Sequence, residues 1–82
     1  MKMDDKHEIR IVIVEILPGN GLFHNYGDVY DNYETFRREK PESSFKFGYA
    51  VVDTESGLIP DGCNDWNDSI EDAMFDWEDN CL

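Results

Sequence analysis

The segment from Glu8 to Leu17 constrains the fold of this chain more than any other. Apolar residues alternate along it, and its centre, Ile11–Val14, is a run of four β-branched residues, a composition that favours strands over helices. Because this centre is apolar on both faces, the segment is predicted to be an interior strand with a neighbour on either side.

Further strands are predicted before and after the middle of the chain. Residues 22–26 follow a turn cluster and can return as a short second strand. Residues 45–53 alternate as the first strand does. The turn at 54–57 leads to a short strand at 58–59, which Pro60 confines to an edge of the sheet.

Two segments have helical spacing. Residues 28–40 carry aromatic residues at helical intervals behind a potential Asp28 cap, although a competing alternation would suit a strand; the helix is the favoured interpretation. The chain is predicted to end in a helix over 66–80, capped by Asp65 or Asn67.

The predicted fold class is therefore α+β: a small antiparallel sheet of three or four strands packed against the C-terminal helix, with a second short helix at 28–40. A chain of 82 residues makes one domain, residues 1–82, and can bury only about 60% of its unfolded surface. Residues 1–7 are polar and are expected to be frayed. The predicted core consists of Ile11, Ile13, Phe47, Tyr49, Val51, Ile70, Met74 and Trp77.

Composition argues against several classes of protein. The longest apolar run is far shorter than the roughly 20 residues of a membrane span, and no signal-peptide pattern is visible, so a cytoplasmic protein without membrane contact is expected. Cys63 and Cys81 fit no metal or redox spacing, and whether they are bridged stays open. The two histidines lie far from both cysteines in sequence, so no metal site is predicted.

Catalysis is not predicted either. Neither histidine nor any serine lies in a nucleophile motif, and no cofactor or catalytic residue is expected. The loop at 61–68 is rich in acids and amides but fails the EF-hand pattern in every register. No glycine follows five residues after a first aspartate, and no glutamate closes the pattern at position twelve.

The C-terminal helix carries the main functional signal. Its apolar stripe is predicted to pack on the sheet, and consists of Trp66, Ile70, Ala73, Met74, Trp77 and Cys81. The opposite side holds six acids around Phe75, which are Asp68, Glu71, Asp72, Asp76, Glu78 and Asp79. Like-charge pairs four residues apart and acids at the C-terminal end of the dipole are both unfavourable for a helix, so folding alone does not account for this face.

The negative charge is segregated along the chain. No lysine or arginine follows Lys46, so the ten acids after it give that part a charge of about -10 out of the total of -12. One interpretation of this acidic face is a solvated surface that aids solubility. However, an aromatic residue surrounded by charge is typical of an interface anchor. The predicted partner-binding residues are Asp61, Asp65, Asp68, Glu71, Asp72, Phe75, Asp76 and Asp79.

A row of carboxylates predicts a basic partner, and large basic surfaces commonly serve to bind nucleic-acid phosphates. In charge pattern, residues 53–82 resemble the acidic DNA-mimic inhibitors of phages and mobile elements, which include anti-restriction and anti-CRISPR proteins; no residue motif is shared. The resemblance implies a partner such as a nuclease, a restriction or CRISPR component, or a nucleoid protein, and no direct binding of nucleic acid. An immunity protein against a nuclease toxin and a protein-interaction adaptor are the alternatives, and the oligomeric state is open.

Overall fold

The computed structural model describes residues 5–19 and 25–81 of the chain. Within them, three strands form one antiparallel sheet in the order β2-β1-β3, and two helices accompany it. The elements in chain order are β1 (His7–Leu17), β2 (Asn25–Tyr30), α1 (Tyr33–Glu39), β3 (Ser44–Asp53) and α2 (Ile70–Cys81). The predicted α+β class, with an antiparallel sheet and a C-terminal helix, is confirmed.

Strand β1 is the central strand, as its two apolar faces predict. It pairs with β3 in an unbroken register from His7 opposite Asp53 to Ile16 opposite Ser44. On its other side it pairs with β2, and the register of this pairing shifts between Val14 and Ile16. His7 therefore belongs to the sheet and not to a frayed terminus.

Both faces of the sheet are covered. On one face, here called the loop face, Val12, Val14 and Ala50 form a core cluster on which Ile59 and Trp66 pack from the connection between β3 and α2. On the other, the helix face, Val51 packs with Ala73 and Trp77 of α2. Because adjacent strand residues point to opposite faces, β1 and β3 supply side chains to both clusters.

The chain passes from the loop face to the helix face at Asn67. This residue forms an antiparallel bridge with Tyr49, in which the Tyr49 amide donates to the Asn67 carbonyl at 2.9 Å and the Asn67 amide donates back at 2.7 Å. The bridge covers part of the outer edge of β3, and α2 starts immediately after it.

The predicted helix over 28–40 is wrong in its first part. Residues 28–30 belong to β2, where Val29 lies opposite Val14 and Tyr30 opposite Ile13. The helix starts only at Tyr33, and its cap is Asn32, whose side chain accepts a hydrogen bond from the Thr35 amide at 3.0 Å. Pairing with β1 therefore overrides the helical spacing before Asn32.

The second strand predicted at 22–26 is found at Asn25–Tyr30, and residues 22–24 lie outside the described residues. The predicted strand at 58–59 is wrong, because Leu58 and Ile59 have no strand conformation. A hydrogen bond from the Asp53 amide to the Leu58 carbonyl, 2.8 Å long, closes the preceding turn.

Helix α2 begins four residues later than predicted. Ser69 is its cap, since the Ser69 hydroxyl accepts from the Asp72 amide at 3.1 Å and its carbonyl accepts from the Ala73 amide. The predicted caps, Asp65 and Asn67, are wrong. Trp66 packs on the loop face and Asn67 pairs with Tyr49, and both contacts are incompatible with a helix that starts at residue 66.

The predicted core is partly confirmed. Ile13, Val51 and Trp77 are buried, and Tyr49 and Met74 are half-buried. The expectation is wrong for Ile11, Phe47 and Ile70, which are 61%, 58% and 54% exposed. Sequence alternation identifies which residues share a face, but not how much of that face the helices cover.

In the described part of the chain, neither helix has the length and apolar character needed to cross a membrane.

Candidate protein-binding site

The acidic side of α2 faces a groove that runs between this helix and the loop before it. We call this the acidic groove; its volume is about 510 Å³. It is lined by Gly62, Asn64, Trp66, Asn67, Asp68, Asp72, Phe75, Asp76, Asp79 and Asn80. The structure thus brings together five of the eight predicted binding residues.

Phe75 is the apolar centre of this surface. Its side chain is 53% exposed, which confirms the exposure expected from the helical spacing. The positions three and four residues away on either side are its neighbours on the helix surface, and all four are acidic: Glu71, Asp72, Glu78 and Asp79. Glu71, Asp72 and Asp79 are exposed and Glu78 is half-buried, so three of the four acids around Phe75 are exposed to solvent.

Asp76 does not belong to this exposed row, contrary to the sequence prediction. Its side chain is buried and accepts hydrogen bonds from the Asn64 amide at 3.0 Å, from the Asn67 side chain at 3.2 Å and from the Asn80 side chain at 2.9 Å. Each of these donors is a neutral amide. The Asp76 carboxylate therefore holds the loop against α2 and forms the floor of the acidic groove.

The hydrogen-bond network around Asp76 continues into the sheet. Asn64 donates through its side chain to the side-chain oxygen of Asn67 at 3.3 Å, and Asn67 donates to the Tyr49 carbonyl at 3.3 Å. At Gly62 the loop adopts a positive φ of 89° and lies against Asn80. One wall of the groove is thus fixed to both β3 and α2.

A basic residue reaches the edge of the groove. The Lys46 ammonium contacts the Asp68 carboxylate at 2.5 Å and lies over the rings of Trp66 and Tyr26, at 4.6 Å and 5.6 Å from their centroids. Although no lysine or arginine follows Lys46 in the sequence, Lys46 itself therefore compensates the charge of Asp68. Lys46 precedes Asp68 by 22 positions, so helical spacing could not reveal the pair.

No known protein family, curated protein or solved structure matches this chain. The candidate site therefore rests on its geometry and charge. The remaining predicted binding residues, Asp61, Asp65 and Glu71, are exposed but do not line the acidic groove. Residues that sequence reasoning missed are the groove amides Asn64 and Asn80, which no periodic pattern marks.

A second buried carboxylate lies away from the groove, below the C-terminal end of α1. Glu15 accepts hydrogen bonds from the Asp28 amide at 3.2 Å and the Ser43 hydroxyl at 3.1 Å, and the Lys40 ammonium lies 3.5 Å from it. Burial by itself would raise the pKa of Glu15, but these hydrogen bonds and the Lys40 charge outweigh burial and lower the pKa. The pKa of Lys40 is raised, chiefly by Glu15.

The contacts around Glu15 satisfy its charge within the fold. A Cβ at Gly27 would overlap the Glu15 carboxylate, so a side chain at that position would force Glu15 to shift within these contacts. Among the described residues, no three His, Cys, Asp or Glu side chains are arranged to hold a metal ion.

Proposed function

We propose that this protein binds a basic, nucleic-acid-binding protein and blocks the surface with which that protein contacts nucleic acid. The observation that supports this proposal most directly is the half-exposed Phe75, which four carboxylates surround on α2 and which lies beside a groove lined by Asp68, Asp72 and Asp79. A surface built only for solubility needs no aromatic residue at its centre.

The mechanism that we propose has an electrostatic step and a packing step. The carboxylates draw the protein to a basic cleft and raise the association rate, by about 10 to 1,000-fold at low salt. Acids three and four residues apart on a helix are about 5 to 6 Å from each other, so several can contact the same lysine- or arginine-lined cleft. Phe75 then buries apolar area, which a phosphate lacks.

A rigid groove supports this function because ordering a loop on binding would reduce affinity. The Asp76 network fixes the loop to α2 and to β3 before any partner arrives. The working row in this proposal is Glu71, Asp72, Phe75 and Asp79, with Asp68 on the groove wall, while Asp76 supports the groove from within. Asp65 lines a separate cavity on the loop face, so neither it nor Asp61 is assigned to this row. We place this activity in the cytoplasm, where nucleases, restriction or CRISPR components and nucleoid proteins act.

Two related functions share this site: immunity against a nuclease toxin, and an adaptor role on a basic groove unrelated to nucleic acid. Competition with nucleic acid distinguishes these two functions. A blocking protein must displace nucleic acid from its captured target, whereas an adaptor does not. Affinity capture from the host, followed by a nucleic-acid competition assay on the captured protein, makes the distinction.

The test of the acidic row is charge reversal at Asp72 and Asp79. We expect the double variant Asp72→Lys/Asp79→Lys to lose binding of the captured protein by about 100-fold or more. The matched control is Glu42→Lys/Glu55→Lys, which changes the net charge equally at two exposed acids outside the groove and should keep most of the affinity. Equal binding by both double variants would mean that the acidic row is only a solvated surface.

Phe75→Ala tests the apolar anchor separately. We expect its dissociation rate from the captured protein to rise about 10-fold or more while its association rate changes little, because steering depends on charge and residence depends on packing. Surface plasmon resonance measures both rates. An unchanged dissociation rate would remove Phe75 from the interface.

A further inference from the structure

A second concave site opens on the loop face of the sheet. We call it the loop-face cavity; its volume is about 480 Å³, and it shares no lining residue with the acidic groove. Small-molecule sites in proteins commonly have volumes of about 300 to 1,000 Å³. The loop-face cavity is therefore large enough for a small organic ligand.

The sheet gives this cavity an apolar lining. Val12 of β1 and Ala50 and Val52 of β3 line it and are buried. Val29 of β2 and Ile59 of the connection between β3 and α2 line it as well, and both pack against the core cluster of the loop face. A ligand in the cavity contacts aliphatic side chains from three strands and a loop, so its body has to be apolar.

Three carboxylates give the cavity its charge. Asp28 in β2, Asp31 directly after β2 and Asp65 in the connection before α2 all belong to its lining and are exposed. The part of the chain that the structure describes contributes no lysine, arginine or histidine to this lining. Within the same residues, the side chains of Asp31 and Asp65 have no hydrogen bond or ion pair. The cavity is thus complementary to a positive charge.

Two bases lie close to the cavity, and both are engaged with other carboxylates. The Lys40 ammonium lies 3.7 Å from Asp28, but it is also 3.5 Å from the buried Glu15. Arg10 lies beside one wall of the cavity, and its guanidinium contacts Glu8 at 2.5 Å. These bases therefore leave the charges of the other two cavity acids uncompensated.

We propose that the loop-face cavity binds a small organic cation, in which an aliphatic or aromatic body carries an ammonium group. The body packs on Val12, Ala50 and Val52, and the ammonium group lies among the carboxylates of the lining. A neutral compound of the same shape makes only the first of these contacts. This site is independent of the proposed function, because that function uses the acidic groove.

The experiment titrates the protein with phenethylamine and follows its backbone amides by two-dimensional NMR. We expect saturable shifts at Val29, Ile59 and their neighbours. The neutral analogue 2-phenylethanol should bind about 10-fold more weakly, because it forms no ion pair with the three exposed carboxylates. The anion 3-phenylpropionate should not bind, since the lining repels it.

Two double variants of equal net charge test the carboxylates. Asp31→Asn/Asp65→Asn should weaken the binding of phenethylamine about 5-fold, as expected for two exposed ion pairs. The matched control is Glu34→Gln/Asp61→Asn, at two exposed acids outside the cavity lining, and it should keep the affinity of the wild type. Neither variant should change the binding of 2-phenylethanol.

Three results would overturn the proposal. The first is equal affinity of the wild type for phenethylamine and 2-phenylethanol, a comparison that needs no variant to fold. The second is equal affinity of the two double variants for phenethylamine. The third is a set of shifts centred on Asp72 and Phe75, which would place the cation in the acidic groove.

A further probe separates a free cation from the side chain of a protein. Lysine blocked as N-acetyl-lysine methylamide carries the same ammonium group on a peptide unit. We expect it to bind more weakly than phenethylamine, because its polar amides would have to enter an apolar lining. Tighter binding of the blocked lysine would assign the cavity to a lysine of a protein partner and overturn the assignment to a small molecule.

Discussion

At the scale of single residues, two aspartates on the same helix have opposite surroundings. Asp76 is 6% exposed and accepts hydrogen bonds from three asparagines, whereas Asp79 is exposed to water. We expect Asp76→Ala to lower the free energy of unfolding by about 2 to 3 kcal/mol, because the buried Asn67 amide and two part-buried hydrogen bonds lose a charged acceptor. Asp79→Ala should change it by less than about 0.5 kcal/mol. Urea denaturation measures both, and equal effects would contradict the buried network.

Glu15 provides a pH-dependent contribution to stability. Its pKa is lowered in the folded protein from an ordinary value of 4.5. A lowered carboxylate pKa stabilises the fold fully above the unfolded value, and this contribution is lost as the pH falls through the folded value. We therefore expect Glu15→Gln to be less stable than the wild type at neutral pH.

The stability difference between wild type and Glu15→Gln should shrink as the pH falls from about 5 through the ordinary value of 4.5 and below it. Denaturant titrations of both proteins across this range measure the difference. Taking the difference removes the changes in overall charge repulsion that the two proteins share. A gap that stays constant with pH would show that the Glu15 pKa is not lowered by folding.

At the scale of secondary-structure elements, α2 is held to the sheet by a narrow contact. Trp77 is buried and packs with Val51 and Ala73, whereas Ile70 in the first turn is 54% exposed. We expect Trp77→Ala to cost about 3 to 5 kcal/mol and to lower the melting temperature by more than about 10 °C. Ile70→Ala, on the same helix, should cost less than about 1 kcal/mol. A Trp77 variant that melts close to the wild type would mean that α2 is not anchored there.

Helix α1 depends on its surroundings in a different way. Seven residues are too few for an isolated helix to be stable in water. Its first turn is closed by the Asn32 cap, its buried face is Phe36, and Arg37 ties its last turn to the following carbonyls. The element therefore forms because three separate contacts fix it, not because its sequence strongly prefers a helix.

At the scale of the whole molecule, the charge of -12 has the same sign as a nucleic-acid backbone. We expect no measurable binding of DNA or RNA in a mobility-shift experiment at about 0.1 M salt, where charges still act over about 10 Å. Tight binding under these conditions would contradict the proposed function as a whole. The proposed role requires the protein to compete with nucleic acid for the surface of its partner, not to bind nucleic acid.

Local patterns in the sequence were sufficient for much of this protein. The alternation of apolar residues predicted β1 and β3, the apolar character of both faces predicted that β1 is central, and the helical period predicted α2 and the exposure of Phe75. These features could be predicted because each depends on a repeat of two or 3.6 residues within a single element. The sign and segregation of charge likewise follow from composition alone.

The tertiary structure determined where those elements begin and which of their residues are buried. Strand pairing with β1 placed Val29 and Tyr30 in β2, and the packing of Trp66 delayed the start of α2. Asp76 became a buried acceptor because a loop folded over its side of the helix, and Lys46 reached Asp68 from a distant strand. Phe47 is 58% exposed although it lies on the same face of β3 as the buried Val51. A local repeat says which residues share a face, but burial and pairing depend on segments far apart in the chain, and their contacts exist only once the chain has folded.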